Sequence, residues 1–413
     1  MTRKKIIFVS ARLPYPALEG HQIRALGVLK QLAKFADVHL LSIVREGETL
    51  KDDSELYSYC ASVTGVKLPV GIKANAIAGL TAIKHNKPLV VTKYVTRSLR
   101  KAFKEKLKFL KPDIVHLDLL PLAGLLDLVP SDVSTFLNEH NVEADLIEQK
   151  QATLTSFSSK LVYAREVTSL KAFEMWACKN VTAVLACSSD DKITIEGMGT
   201  NHVHCIPNGV DTADLQPDHS NIDVNKLVFL GGMGWYPNKL GVEWFIESVM
   251  PILVAKNSQI KLDLIGNPNP VVTIPDALKS HINKLGFVDD FKPYVRQAGI
   301  MIVPLHVGSG TRLKVVEGAA LGKCMVSTHK GAQGVSLENN KDIVYADSPQ
   351  YFAQAILDLQ KDKNRMISIG DHARQVAENI YDWNAIGEKL EFIYQHPIEN
   401  KTVDVNAKKR KHV

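Results

Sequence analysis

Short apolar runs alternate with longer amphipathic stretches along most of the chain. Ile6–Ser10 and Val38–Val44 are dominated by branched and aromatic residues, which predicts buried strands. Between them Ile23, Leu26, Leu29 and Leu32 recur close to a 3.6-residue period, predicting a helix from His21 to Phe35. Further strands are predicted at Asp113–Leu117, Ser134–Leu137 and Val181–Cys187. The alternation breaks over 211–225, a polar stretch containing Pro217, which predicts a linker. It restarts with a strand at Leu227–Leu230, a helix at Lys239–Leu253, and strands at Ile260–Ile265, Ala298–Pro304 and Cys324–Ser327. A last helix is predicted at Asn384–Tyr394. This alternation is the mark of a parallel sheet covered by helices. Two such series in 413 residues predict an α/β protein of two Rossmann-like domains with a cleft between them. The expected boundaries are 1–210 for the first domain, 211–225 for the linker and 226–378 for the second domain. A helix within 379–397 is expected to cross back to the first domain, with Trp383 at the crossing, and a basic disordered tail to occupy 398–413.

Composition narrows the class. No apolar run approaches about 18 residues, so no transmembrane helix is expected. The basic start, Met1–Lys5, leads into an apolar run too short for a signal peptide. The five cysteines are odd in number and form no C-x-x-C pair, which argues against a disulfide framework or structural zinc and for a reducing cytoplasm. The net charge of +6 is concentrated: Lys84 to Lys111 holds ten Lys or Arg and one acid, Glu105. Within it, Leu99, Phe103, Leu107 and Leu110 share one helix face. Two readings stand there, a solvated helix face or docking of residues 84–111 on an anionic membrane surface. No nucleic-acid-binding motif accompanies the charge, so nucleic acid is not an expected partner.

The strongest candidate chemistry follows the apolar run Ile300–Leu305. Gly308-Ser309-Gly310-Thr311-Arg312-Leu313-Lys314-Val315-Val316-Glu317-Gly318 is a glycine loop opening a helix predicted over Thr311–Leu321. Loop N–H groups and the helix dipole together favour an anion. Gly310, Lys314 and Glu317 share a face, while Leu313, Val316 and Ala320 share an apolar one. Lys314 suits a diphosphate, Glu317 suits a pair of ribose hydroxyls, and Arg312 adds a planar donor fork in the first turn. A surface Lys–Glu i,i+3 pair is the competing reading. Asp289-Asp290 precedes a predicted helix and reads as an N-cap, so no metal site is expected.

The run Pro304-Leu305 … Gly-Ser-Gly-Thr-Arg-Leu-Lys-Val-Val-Glu-Gly resembles the donor-binding signature of family-4 retaining glycosyltransferases, which have the GT-B fold. Further landmarks follow in the family's order: Ile206-Pro207-Asn208-Gly209-Val210-Asp211, Gly231-Gly232-Met233-Gly234-Trp235-Tyr236-Pro237-Asn238, Gly286-Phe287-Val288-Asp289 and Gly331-Ala332-Gln333-Gly334. The resemblance runs to about residue 395 and implies a nucleotide-diphosphate sugar as donor substrate, with no cofactor. It implies a glycan or lipid-linked acceptor, metal-independent retaining transfer in bacterial surface polysaccharide assembly, and a cytoplasmic enzyme peripheral to the inner membrane face. Donor contacts are expected from Gly232, Asn238, Gly308, Ser309, Gly310, Thr311 and Glu317, with Arg312 and Lys314 on the diphosphate. In the first domain the resemblance implies Gly20 near the diphosphate and His140 near the donor sugar. Arg24 and Asp118 are weaker candidates; Asp118 reads equally as an acceptor contact or a turn residue.

Two positions depart from the family pattern. Ser309 stands where a first glutamate is usual, and Gly232 where a phosphate-binding arginine is usual. The expectation is that Arg312 and Lys314 supply the missing charge. Two other functions keep the same fold open: a nucleotide-sugar epimerase and a non-catalytic nucleotide-sugar-binding subunit.

Overall fold

The structure is a computed structural model and describes residues 3–17, 19–51, 54–152, 156–269, 271–308 and 312–396. Its chain divides into two compact units. One runs to Ile206 and takes in the residues from Gly387 onward; the other spans Pro207–Ile386.

The first unit is built on β1 (Lys4–Ser10), β2 (Ala36–Val44), β3 (Ser62–Lys67), β4 (Ile114–Asp118), β5 (Ser134–Asn138), β6 (Ala183–Ala186) and β7 (Val203–Cys205). They form one parallel sheet in the order β3-β2-β1-β4-β5-β6-β7. Ile6, Ile7, Phe8 and Val9 are fully buried, as expected of a central parallel strand covered on both faces. β2 lies on one side of β1 and β4 on the other, so the strand order reverses there. In open α/β sheets ligands bind at the carboxyl ends beside such a reversal. Register sets Ser10, the last residue of β1, opposite Asp118, the last of β4, and Asp118 opposite Asn138, the last of β5.

The second unit repeats the scheme with β8 (Asp223–Leu230), β9 (Lys261–Ile265), β10 (Ile282–Gly286), β11 (Ala298–Val303), β12 (Cys324–Ser327) and β13 (Val344–Tyr345). Its parallel order is β10-β9-β8-β11-β12-β13, which puts the reversal between β8 and β11. The glycine loops predicted to bind the donor leave the carboxyl ends of these two strands.

Three local differences from the sequence reading have physical causes. The stretch 211–225 is not a free linker. Thr212 and Leu215 are buried, and their carbonyls accept from the Arg374 guanidinium, while β8 already begins at Asp223. The helix expected over Lys239–Leu253 starts at Tyr236 and widens into a π-turn at Phe245–Val249 before Pro251, which has no N–H to donate. The helix after the glycine loop runs Leu313–Ala320, so Arg312 precedes it and is not in its first turn. The last helix, Trp383–Gln395, starts with Trp383 packed on Gly209, where a Cβ would lie 2.6 Å from the indole. Its residues from Gly387 belong to the first unit. The expected disordered tail lies outside the described residues.

Candidate functional site

In the first unit the aligned strand ends build a buried polar chain. Asp118 Oδ1 accepts from Asn138 Nδ2 at 2.8 Å and from His140 Nε2 at 2.9 Å. Asn138 Oδ1 accepts two donations from Arg24, from Nη2 at 2.6 Å and Nε at 3.1 Å, and Arg24 Nη1 donates to the Ile206 carbonyl at 2.7 Å. Ser10 Oγ lies 3.5 Å from the other carboxylate oxygen, Oδ2. All five side chains are buried, Arg24 to 1 % exposure. Burial raises an isolated carboxyl, but at Asp118 the charge of His140, its hydrogen bond and the nearby His116 outweigh it, holding the group ionised far below its ordinary range. A carboxylate taking Nε2–H fixes the plane of His140 and leaves the Nδ1 edge for a ligand.

Below this chain stands His116, whose Nδ1 is 2.6 Å from the Tyr394 hydroxyl and whose Nε2 is 3.9 Å from Asp118. Tyr394, from the last helix, is fully buried and stacks on Phe136 with ring centroids 4.0 Å apart. The carboxyl-terminal helix therefore braces the floor of the site. Beside it lie Glu139 and Glu174, both buried. Glu174 accepts from the backbone N–H groups of Glu143 and Ala144 at 2.7 and 3.2 Å. Neither carboxyl oxygen of Glu139 has a hydrogen-bond partner among the described residues. Burial, then the nearby Glu174, push Glu139 well above the usual carboxyl range.

Gly20 opens the helix Gly20–Phe35 directly after the loop leaving β1. The Glu19 carbonyl accepts from Gln22 and Ile23, and the Glu19 carboxylate pairs with Arg12 at 2.9 Å.

In the second unit Lys314 is the centre. Its Nζ donates to Asn238 Oδ1 at 2.5 Å and sits 4.3 Å from the Phe229 ring centroid. Asn238 Nδ2 donates in turn to the Gly232 carbonyl at 2.8 Å. Gly231, with φ +148°, leaves no room for a side chain: a Cβ there would lie 2.6 Å from both Asn238 Nδ2 and Lys314 Nζ. At Gly232 the nearest atom to a Cβ would be 3.6 Å away. Burial pushes the Lys314 ammonium down to about 7, and burial pushes Glu317, one turn on, up to about 7.

Arg312 packs closely among its neighbours. It is 3 % exposed, its guanidinium 5.4 Å from the Trp235 ring centroid and packed beneath Gly308, where a Cβ would come within 3.0 Å of Nη1. Ser309, Gly310 and Thr311 lie outside the described residues. Lys239 forms an i,i+4 ion pair with Glu243 at 2.8 Å. Asp290 accepts from the backbone N–H of Lys292 at 3.0 Å, a turn one residue ahead of the cap position, which Phe291 occupies without a side-chain cap, so the expected N-cap is not formed by either aspartate. Thus Lys314, Asn238, Glu317, Gly232, Arg312 and Gly308 gather at one switch point, and His140, Asp118 and Arg24 at the other. Asn138, His116 and Tyr394 escaped sequence reading. A strand-end Asn in register with Asp118 was the available signal for the first.

Residues 20–214 match the model of the Glycosyltransferase Family 4 domain, and residues 224–362 match that of Glycosyl transferases group 1. The chain is similar to an uncharacterised 44.6 kDa protein in the cps region of Klebsiella pneumoniae, 25 % identical over 394 residues, covering 92 % of this chain and 96 % of that one. Among solved structures it is similar in fold to a sucrose-phosphate synthase of Thermosynechococcus elongatus (TM-score 0.69, 16 % identity, 95 % and 99 % covered). It is similar also to HepE of Anabaena in complex with UDP-glucose (0.63, 12 %, 95 % and 100 %). A glycosyltransferase of Rickettsia africae gives 0.65 at 14 %, with 97 % and 100 % covered.

Proposed function

We propose, from a chain whose two halves carry glycosyltransferase domains on the GT-B fold, that it transfers a sugar with retention from a nucleotide-diphosphate sugar to a glycan or lipid-linked acceptor. The observation that carries this reading is the Lys314–Asn238–Gly231 contact at the second switch point, with Glu317 one turn along the same helix. Lys314 neutralises the diphosphate, Glu317 accepts from the ribose hydroxyls, and Arg312 adds positive potential from beneath the Gly308 loop. In the first unit His140, aligned by Asp118, presents Nδ1 to a sugar hydroxyl. The leaving phosphate takes the acceptor's proton, so transfer rests on positioning and charge and not on a protein nucleophile. Similarity to the Klebsiella cps-region protein supports a place in polysaccharide biosynthesis.

Charge for the leaving diphosphate comes from Lys314 and Arg312, so the reaction is expected to proceed without a metal. Transfer that stops in chelator and returns with magnesium or manganese would contradict this. Retention is tested by the anomeric configuration of the product, read by NMR. A product of opposite configuration to the donor refutes it.

A further inference from the structure

The first unit carries an exposed apolar ridge that the site does not use. The helix Ile72–Lys84 buries only Ala78 and Ala82. Ile72, Ile77, Leu80 and Ile83, exposed by 66 to 89 %, lie on the opposite arc. This inverts the usual arrangement, in which large aliphatic side chains face the core. The ridge has neighbours of the same kind. On the helix Phe157–Lys179, Arg165 donates to the Ala82 carbonyl at 3.0 Å, and Glu166 accepts from Leu89 N–H at 2.7 Å. One turn before these residues are Leu161 and Val162, both about two-thirds exposed.

Charge selects the occupant. From Leu56 to Lys104 the sequence has no Asp or Glu and nine Lys or Arg. Lys73 and Lys84 fall on the same arc of the helix as the exposed aliphatics, and Lys87 and Lys93 follow it. Glu166, on the neighbouring helix, is taken up by the Leu89 N–H and by Arg165 at 3.9 Å. Branched aliphatics with long-stemmed bases among them can sink the former and extend the latter to headgroups. By contrast, the basic helix Arg97–Leu110 turns Leu99, Phe103 and Leu107 inward and leaves a single large apolar side chain, Phe109, exposed among its bases.

We propose that the Ile72–Lys84 ridge docks this protein on an anionic lipid bilayer, its aliphatic arc entering the interface and the surrounding lysines engaging acidic headgroups. The inference stands apart from the transferase reading, because it uses none of that site's residues.

The test is co-sedimentation of the full chain with phosphatidylcholine vesicles, with and without phosphatidylglycerol. Wild type is expected to pellet with the anionic vesicles. The triple variant Ile77→Ser, Leu80→Ser, Ile83→Ser should lower the partition roughly tenfold or more. The variant Lys73→Gln, Lys84→Gln, Lys87→Gln should lower it roughly ten- to a hundredfold on anionic vesicles only. All six positions are exposed, so the melting temperature of each variant should match wild type. A wild type that stays in the supernatant, or a serine variant that pellets equally, overturns the proposal. So does a wild type that ignores vesicles and self-associates in sedimentation velocity through a contact the serine variant abolishes. Nucleotide binding is measured in parallel, and its loss or retention bears on the transferase reading alone.

Discussion

Lys314 and Glu317 give donor binding a pH dependence whose sign follows from their surroundings. Burial holds the ammonium down at about 7, Arg312 adding to the push and Glu317 opposing it. Burial holds the carboxyl up at about 7, with Lys314 opposing. The diphosphate of a nucleotide sugar has no proton to lose near neutrality, so the protein sets the slope. An anion seated on Lys314 favours the ammonium, and binding above pH 7 then requires proton uptake. Affinity should fall by up to about tenfold per pH unit there. Ribose hydroxyls need the Glu317 carboxylate, so below pH 7 binding requires proton release and affinity falls as the pH drops. Wild type should bind best near neutrality. In Glu317→Gln the acidic limb disappears, and the alkaline limb moves to lower pH because the acid supporting the ammonium is gone. In Lys314→Met the alkaline limb disappears and the Glu317 midpoint moves up. Calorimetric titration of a nucleotide sugar between about pH 5.5 and about pH 9 reads all three profiles. A flat wild-type profile, or both limbs surviving in both variants, refutes the reasoning.

The other predictions concern separate parts of the molecule. His140→Ala should lower kcat roughly 10²–10³-fold. Asp118→Asn should lower it roughly ten- to a hundredfold by loosening the imidazole while the melting temperature of the protein stays measurable; unchanged kcat in both would remove the first-unit network from the mechanism. Gly231→Ala should cost about 1–3 kcal/mol of stability, from its positive φ and contact with Asn238 and Lys314, whereas Gly232→Ala should cost little; denaturant titration that ranks them the other way contradicts this. Glu139 binds its proton more tightly folded than unfolded, so its contribution is present in acid and declines as pH rises above the unfolded value, near 4.5. Glu139→Gln should therefore raise the melting temperature above neutrality and leave it nearly unchanged near pH 4; equal effects at both would argue for a charge-independent role.

Much of this architecture could be read from the chain because buried parallel strands announce themselves as unbroken apolar runs: Ile6–Val9 and Ile300–Val303 are fully buried along their length. The glycine loop, Lys314 and Glu317 were legible for a related reason, since spacing on one helix is local information. What escaped was set by strand register. Ser10, Asp118 and Asn138 are 108 and 20 residues apart in steps along the chain and meet only because β1, β4 and β5 align. The His116–Tyr394 contact spans 278 residues. The packing of Arg312 beside Trp235 and Gly308 was not legible either, because the fold sets both contacts. The glycine that the fold requires at the second switch point is Gly231, a distinction that depends on the backbone angle and not on residue type.

The most direct test of the central claim is thermal denaturation of wild type and Lys314→Ala across UDP, GDP, ADP and their sugars. One nucleotide series should stabilise wild type, by about 2.7 kcal/mol at a hundred times its Kd, and should stabilise Lys314→Ala far less at the same concentration. No shift with any nucleotide, or an equal shift in the variant, would contradict a donor site built on Lys314.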